Sequence, residues 1–226
     1  PESISTHNLS DFMPEDNWEA ELLNLKGLEP NTTYYLRAVA LQGSFTQTEP
    51  GPVQSTTTGI PEVFFDIDIA DGSGYTAESS PPHSIQFTGA YELIGGSAAI
   101  TAQNRIWLDG NTNSSGGYAI IMNGTNGGLY SPTTLQTITS ATADLNIVST
   151  GFGLQSEYID YSTDGPTLGF ISSTTDYSGT GNEVGIISTT ANKIYDADGP
   201  IIDGRMALKV IAKPGTSYTA ATDYSE

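Results

Sequence analysis

Apolar and polar residues alternate over several short stretches of this 226-residue chain. In the clearest stretch, Phe65, Ile67 and Ile69 occupy every second position. Asp66 and Asp68 fill the positions between them. A period of two residues is that of a strand with one buried face. The stretch therefore predicts a half-buried β-strand.

Three later stretches repeat the two-residue period, and each predicts a strand with one face in the core of a sandwich. Between them lie Asp-Gly, Asn-Gly and Gly-Gly pairs, which are turn signals. The predicted faces are Ile106 and Leu108, with Trp107 opposite; Tyr118, Ile120 and Met122, with Ala119 and Ile121 opposite; and Met206, Leu208, Val210 and Ala212, with Lys209 and Lys213 opposite.

Composition favours an all-β fold outside the cell. Ser, Thr, Asn and Gly are abundant while Lys and Glu are sparse, so long helices are not expected. The net charge of −19 excludes nucleic acid as an expected partner, because phosphate binding needs a basic surface. Cysteine is absent, which removes disulfides and thiol chemistry. We find no signal peptide or membrane-spanning stretch, and expect an extracellular or cell-surface location without membrane insertion.

One turn carries a family resemblance. Leu28, Pro30, Thr32 and Tyr34 form a Leu-x-Pro-x-Thr-x-Tyr corner that leads into an alternating strand. This motif resembles the later half of a fibronectin type III domain, and the match covers roughly residues 18–58. The resemblance implies a sandwich in which the corner tyrosine hydrogen-bonds back to the chain upstream.

The rest of the chain is similar to a β-sandwich module of predicted surface proteins from uncultivated bacteria. The resemblance rests on an apolar strand at 100–108, the run Thr112-Asn113 to Gly117-Tyr118, and a late strand at 205–213. We therefore expect an all-β chain in two parts. A partial fibronectin type III-like sandwich spans residues 1–59, and a larger antiparallel β-sandwich lacking its final strand spans 60–226.

Relative to both families the chain lacks strands, the opening ones of the first sandwich and the closing one of the second. A sandwich short of a strand exposes unpaired edges that another chain can fill. This pattern predicts an extracellular structural protein, a subunit of a surface filament or fibre completed by strands exchanged between neighbouring copies. The alternative is that the chain is a fragment of a longer protein.

Two acidic segments are candidates for calcium binding, because calcium prefers several carboxylate and carbonyl oxygens. Neither has the spacing of an EF-hand loop. The alternative is that they are solvated strand and turn residues. The candidate ligands are Asp66, Asp68 and Asp71 in one segment and Asp196, Asp198 and Asp203 in the other.

A second function class is carbohydrate binding or adhesion through aromatic and apolar side chains that face away from the core. Trp107 is the main candidate, with rings from Tyr158 and Tyr161, and Ile121 as an exposed interface residue. Aromatic rings stack on sugars and anchor interfaces. Alternatively, Trp107 packs beneath a second layer, a linker or a neighbouring subunit.

Catalysis has little support in the sequence, and we expect no enzyme. The two histidines, His7 and His83, lie in irregular segments, and no nucleophile elbow or zinc-protease motif is present. The 26 carboxylates offer many pairings for glycoside hydrolysis, but none is singled out.

Overall fold

The computed structural model describes residues 28–37, 41–42, 46–47, 51–72, 79–96, 98–163, 168–219 and 221–226. The described chain is all-β, as predicted, and its one helical turn is a 3₁₀ helix at Gly89–Tyr91. No helix among these residues is long and apolar enough to cross a membrane.

The first region consists of two antiparallel strand pairs. Strand β1 pairs with β4, and β2 pairs with β3. The beginning of the expected match, residues 18–27, lies outside the described residues. The strands are β1 (Thr33–Leu36), β2 (Leu41–Gln42), β3 (Thr46–Gln47) and β4 (Gln54–Thr57).

The corner tyrosine makes the contact that was expected of it. The backbone N–H of Glu29 donates to the Tyr34 hydroxyl at 2.7 Å, five residues upstream. Asn31 adopts a positive φ of 50°, a conformation that asparagine tolerates in tight turns. Thr58 closes the corner, because its hydroxyl donates to the carbonyl of Glu29 at 2.6 Å.

The second region contains eleven of the described strands. Two sheets dominate it, a four-stranded sheet in the order β11-β15-β6-β5 and a three-stranded sheet in the order β12-β14-β7. The strands are β5 (Val63–Asp71), β6 (Ile100–Thr112), β7 (Tyr118–Met122), β8 (Gly128–Ser131), β9 (Gln136–Thr139), β10 (Ala143–Asp144), β11 (Gly151–Asp160), β12 (Ile171–Ser173), β13 (Glu183–Val184), β14 (Asn192–Ala197) and β15 (Arg205–Lys213).

One hydrophobic core lies between these sheets and confirms the predicted faces of β6, β7 and β15. In β5 the prediction holds only in part, because Ile67 packs against the core while Phe65 is 46% exposed and Asp68 is buried. Every second residue of β15 from Met206 to Ala212 is buried in it, together with Leu108 of β6 and Ile120 of β7. Ile121 points away from the core and is 61% exposed. The two-residue period fixed these orientations, because a one-residue shift would turn the whole apolar set to solvent.

Side chains at the end of β6 hold the linker between the two regions, and the Thr112 hydroxyl donates to the carbonyl of Glu62 at 2.8 Å. The Asn113 amide donates to the carbonyl of Ile60 at 2.8 Å, and its side-chain oxygen accepts from the N–H of Glu62 at 2.8 Å. The Ser115 hydroxyl donates to the Glu29 carboxylate at 2.8 Å, which ties the corner to the same loop. We call the contacts of Asn113 with Ile60 and Glu62 the linker clamp.

Removing the linker clamp should expose the linker to solvent exchange. We expect Asn113→Ala to speed hydrogen exchange at the Glu62 amide by about fivefold, since a lost hydrogen bond of about 1 kcal/mol lowers the local opening energy. Mass-spectrometric hydrogen exchange measures the rate. Asn123→Ala, at an exposed asparagine, is the control and should leave the rate unchanged. Equal exchange at Glu62 in Asn113→Ala and the unaltered chain would contradict the clamp.

Candidate functional site

The face of the four-stranded sheet that points away from the main core, here the outer face, carries a row of charged residues. Directly paired residues in an antiparallel sheet share a face. Strand register pairs Asp66 with Asp109 and Asp109 with Arg205. It also pairs Arg205 with Asp160, so the four side chains cross the sheet in one line. Their neighbours in the sequence point to the core.

The centre of this row is a bidentate ion pair. The Arg205 Nε lies 2.8 Å from Asp109 Oδ1, and its Nη2 lies 2.9 Å from Oδ2. Such a fork is a strong and directional form of charged hydrogen bonding. Asp66 stands directly opposite Asp109, a like-charge arrangement that costs stability in a sheet. The row thus carries three carboxylates and one guanidinium.

A depression of about 420 Å³ opens over the row. The side-chain oxygen of Asn111 accepts from the N–H of Gly204 at 3.0 Å. Among the described residues, the Asn111 amide nitrogen has no hydrogen-bond partner, so it can donate to a ligand. The lining residues are Phe64, Asp109, Asn111, Tyr158, Asp160, Asp203, Gly204 and Arg205.

Tyr158 stands at the rim of the depression as a rigid, 42% exposed ring. Its edge-to-face contact with Trp107 has a centroid distance of 5.6 Å and an interplanar angle of 62°. Its hydroxyl donates to Asp160 Oδ2 at 3.0 Å, and this hydrogen bond raises the pKa of the phenol. Because two contacts fix the ring, binding a ligand there costs little side-chain entropy.

Trp107 does not reach the depression. It lies on the face opposite the core, as predicted, but it is only 5% exposed. Its Nε1 donates to the carbonyl of Asp71 at 3.3 Å, and Tyr158 packs against it. Trp107 therefore exposes too little surface for a sugar to stack on it. The alternative, that its ring packs beneath other residues, describes its position. Trp107 positions Tyr158.

The two other interface candidates lie elsewhere. Tyr161 is partly buried and packs against the main core, so it adds no ring to the outer face. Ile121 belongs to β7 of the other sheet. Of the four aromatic and apolar candidates, only Tyr158 lines the depression.

Within the described residues, the three carboxylates of the first acidic segment are not grouped to hold a metal ion. Asp68 is 2% exposed and accepts from the N–H and the hydroxyl of Ser79 at 2.6 and 2.9 Å. Asp71 has the opposite strand parity and points to the other face from Asp66 and Asp68. The Ser79 hydroxyl also lies 3.3 Å from His83 Nδ1.

The second acidic segment is also dispersed. Asp196 pairs with Lys193 at 3.0 Å, and Asp198 accepts from the N–H of Phe170 at 2.6 Å. Asp203, at a positive φ of 53°, lines the depression instead. Within the described ranges no three His, Cys, Asp or Glu side chains are grouped to hold a metal ion. Neither expected calcium site is therefore assembled there.

The outer face also collects the cations of this acidic chain. Four of the seven Lys and Arg residues belong to strand positions that face outward. Lys209 and Arg105 both contact the Glu157 carboxylate. The outer face therefore carries charges of both signs, unlike a uniformly acidic surface. The four residues are Arg105, Arg205, Lys209 and Lys213.

Sequence reasoning missed most residues of the depression. The signal available for Phe64 was its parity with Asp66 in the alternating stretch. The sequence held no signal for the ion pair, because Asp109 and Arg205 are 96 positions apart. Comparison with protein-family models, with curated proteins and with solved structures found no match to this chain.

Proposed function

We propose that the chain is a recognition module of an extracellular or cell-surface protein and binds carbohydrate in the outer-face depression. The observation that carries the proposal is the fixed, half-exposed Tyr158 ring beside the Asp109–Arg205 fork. A sugar ring has an apolar face for stacking and a rim of hydroxyls that both donate and accept hydrogen bonds. The depression offers a partner for each.

The hydrogen-bonding groups are suited to hydroxyl rims. The carboxylates of Asp160 and Asp203 accept from hydroxyls, and the Asn111 amide donates. Phe64, 57% exposed, lies on the β5 side of the depression and offers a second apolar surface. Specific polar groups around a concave, partly apolar site are the usual composition of a small-molecule site.

The location and the first region support the same proposal. An acidic, cysteine-free, all-β chain is compatible with an exterior location. We infer a fibronectin type III-like corner from the hydrogen bond between Glu29 and Tyr34. Modules of that family commonly space or display binding units.

A glycan array probed with the full chain tests the function, and titration calorimetry with the strongest ligand then tests the site. We expect Tyr158→Ala to weaken binding by about tenfold or more, as for an anchor residue. Tyr158→Phe keeps the ring and should retain most of the affinity. Tyr35→Ala removes a 75% exposed ring that does not line the depression, and should have no effect.

An array without signal above background would overturn carbohydrate binding. Binding that survives Tyr158→Ala unchanged would place the ligand elsewhere on the chain.

A structural role in a surface filament or fibre is the second candidate, and the linker clamp favours it. Fibres and stalks need junctions that hold successive units at a fixed angle, and Asn113 restrains the residues between the two regions. Negative-stain electron microscopy of concentrated protein tests this role. Regular filaments with a repeat of one subunit are expected, whereas only dispersed single particles would contradict it.

A further inference from the structure

Among the described residues, strand β5 is an edge of the four-stranded sheet, and the direction of its backbone groups follows from one contact. The N–H of Ile69 donates to the Ser79 hydroxyl at 2.9 Å, so it points away from β6. The β5–β6 register is continuous, and backbone groups alternate in direction along a strand. Val63, Phe65 and Ile67 therefore also direct their N–H and C=O groups to the open edge.

The same end of β5 exposes apolar side chains. Val63 is 61% exposed, Phe64 57% and Phe65 46%. An edge strand with unpaired backbone groups and apolar side chains is a template for pairing with another strand. Ser79 closes the other end of the edge at Ile69, so the available length is residues 63–67.

We propose that two copies of this chain pair through β5, antiparallel and edge to edge, with the two-fold axis at Phe65. In this register Phe65 pairs with Phe65 of the second copy, and Val63 pairs with Ile67. The two-fold axis repeats the Val63–Ile67 pair, so there are three pairs, and each exchanges two backbone hydrogen bonds, giving six in all. Phe64 lies opposite Asp66 of the other copy. The occupant of the edge is thus the identical strand.

Two other registers of the same pair of strands would bind less tightly. An axis at Ile67 would set Asp66 opposite Asp68 of the other copy, and like charges directly opposite are destabilising. It would also need the Ile69 N–H, which Ser79 holds. An axis at Phe64 would bring Ile67 opposite Pro61, which has no N–H to donate. Charge and backbone pairing together therefore select the axis at Phe65.

Each copy carries a net charge of −19, so association should depend on salt. Screening at high ionic strength removes the long-range repulsion between copies and leaves the backbone pairing and apolar contact. We expect dimerisation to be tighter at about 0.5 M than at about 0.05 M NaCl, because the Debye length shortens over that range.

Sedimentation velocity of the full chain across a concentration series at both salt concentrations is the experiment. Because Phe64 faces Asp66 of the other copy, Phe64→Lys should keep or tighten the dimer at low salt. Phe64→Glu, of opposite charge at the same position, should weaken it by about tenfold or more. Ile121→Lys, at an exposed apolar residue of the other sheet, is the control and should leave the dimer unchanged.

Phe65→Pro supplies an independent variant. Proline removes the N–H at the two-fold axis, and an edge strand tolerates it where that N–H faces solvent. The variant should fold, as judged by circular dichroism, and remain monomeric.

Two outcomes overturn the proposal. The first is an unaltered chain that stays monomeric at millimolar concentration and high salt. The second is a dimer whose affinity changes equally in Phe64→Lys and Phe64→Glu. Apolar association without this register would weaken in both variants, because each loses the Phe64 ring. Both outcomes are independent of whether the depression binds carbohydrate.

Discussion

Replacing Tyr195 with alanine should lower the free energy of unfolding by about 4 kcal/mol, the cost typical of removing a large buried ring. Tyr195 is fully buried in the core between the two sheets. Its hydroxyl lies 2.9 Å from Ser156 Oγ and 3.1 Å from the carbonyl oxygen of Ala207, to which it donates. The ring of Tyr195, in β14, therefore fills space in the core while its hydroxyl bonds to β11 and β15 of the facing sheet. Urea denaturation followed by circular dichroism measures the change.

Tyr195→Phe separates the hydroxyl from the ring. It keeps the packing but leaves the Ala207 carbonyl and Ser156 without this partner, a loss of about 1–2 kcal/mol. Burial also raises the pKa of the Tyr195 phenol. The folded chain then holds a proton that the unfolded chain releases near pH 10, so stability falls as pH rises above about 10. Tyr195→Phe has no phenol at this position, so it should not show this part of the loss of stability above about pH 10. Equal destabilisation by Phe and Ala would contradict the assigned packing role.

Gly117→Ala should be the most damaging single-methyl change, destabilising the chain by about 3 kcal/mol or more. Gly117 has a φ of 64°, where a side chain costs about 1–2 kcal/mol, and its added Cβ would overlap the backbone carbonyl of Ala197. Neither backbone segment can move without disturbing the turn before β7. Thermal and urea unfolding measure the loss.

The neighbouring glycine provides a matched control. A Cβ at Gly116 would come no closer than 3.8 Å to the Ser114 hydroxyl, an ordinary contact, and its φ is not positive. Gly116→Ala should therefore change the free energy of unfolding by less than about 1 kcal/mol. Similar losses at both positions would contradict the role of the turn geometry.

The predictable part of this fold is the part that depends on neighbouring residues. Alternation alone predicted that Met206 and Leu208 face the core while Lys209 does not, and all three orientations are observed. The corner at Tyr34 was expected from its resemblance to a Leu-x-Pro-x-Thr-x-Tyr motif, which is also a feature of neighbouring residues. A strand's period and a turn's backbone preferences are local properties, so they can be read without knowing which strands pair.

The candidate site depends on pairings that no local pattern encodes. Asp109 meets Arg205 only because β15 lies beside β6, and Tyr158 joins them because β11 follows in the sheet. Parity placed Trp107 opposite the core, yet it could not show that Tyr158 and the backbone of Asp71 would cover the ring. The two acidic segments illustrate the same limit, because Asp68 bonds to Ser79 and Asp196 pairs with Lys193, contacts that no local pattern shows.

The linker clamp affects the distance that a series of such units would span. Units joined by flexible linkers behave as a random coil, and the distance spanned by a series of them grows only with the square root of their number. Units whose junctions are restrained, as Asn113 restrains Ile60 and Glu62, add their lengths instead. A tandem arrangement built on such junctions would act as a semi-rigid rod. It would present the depression at a set height above the surface from which it projects.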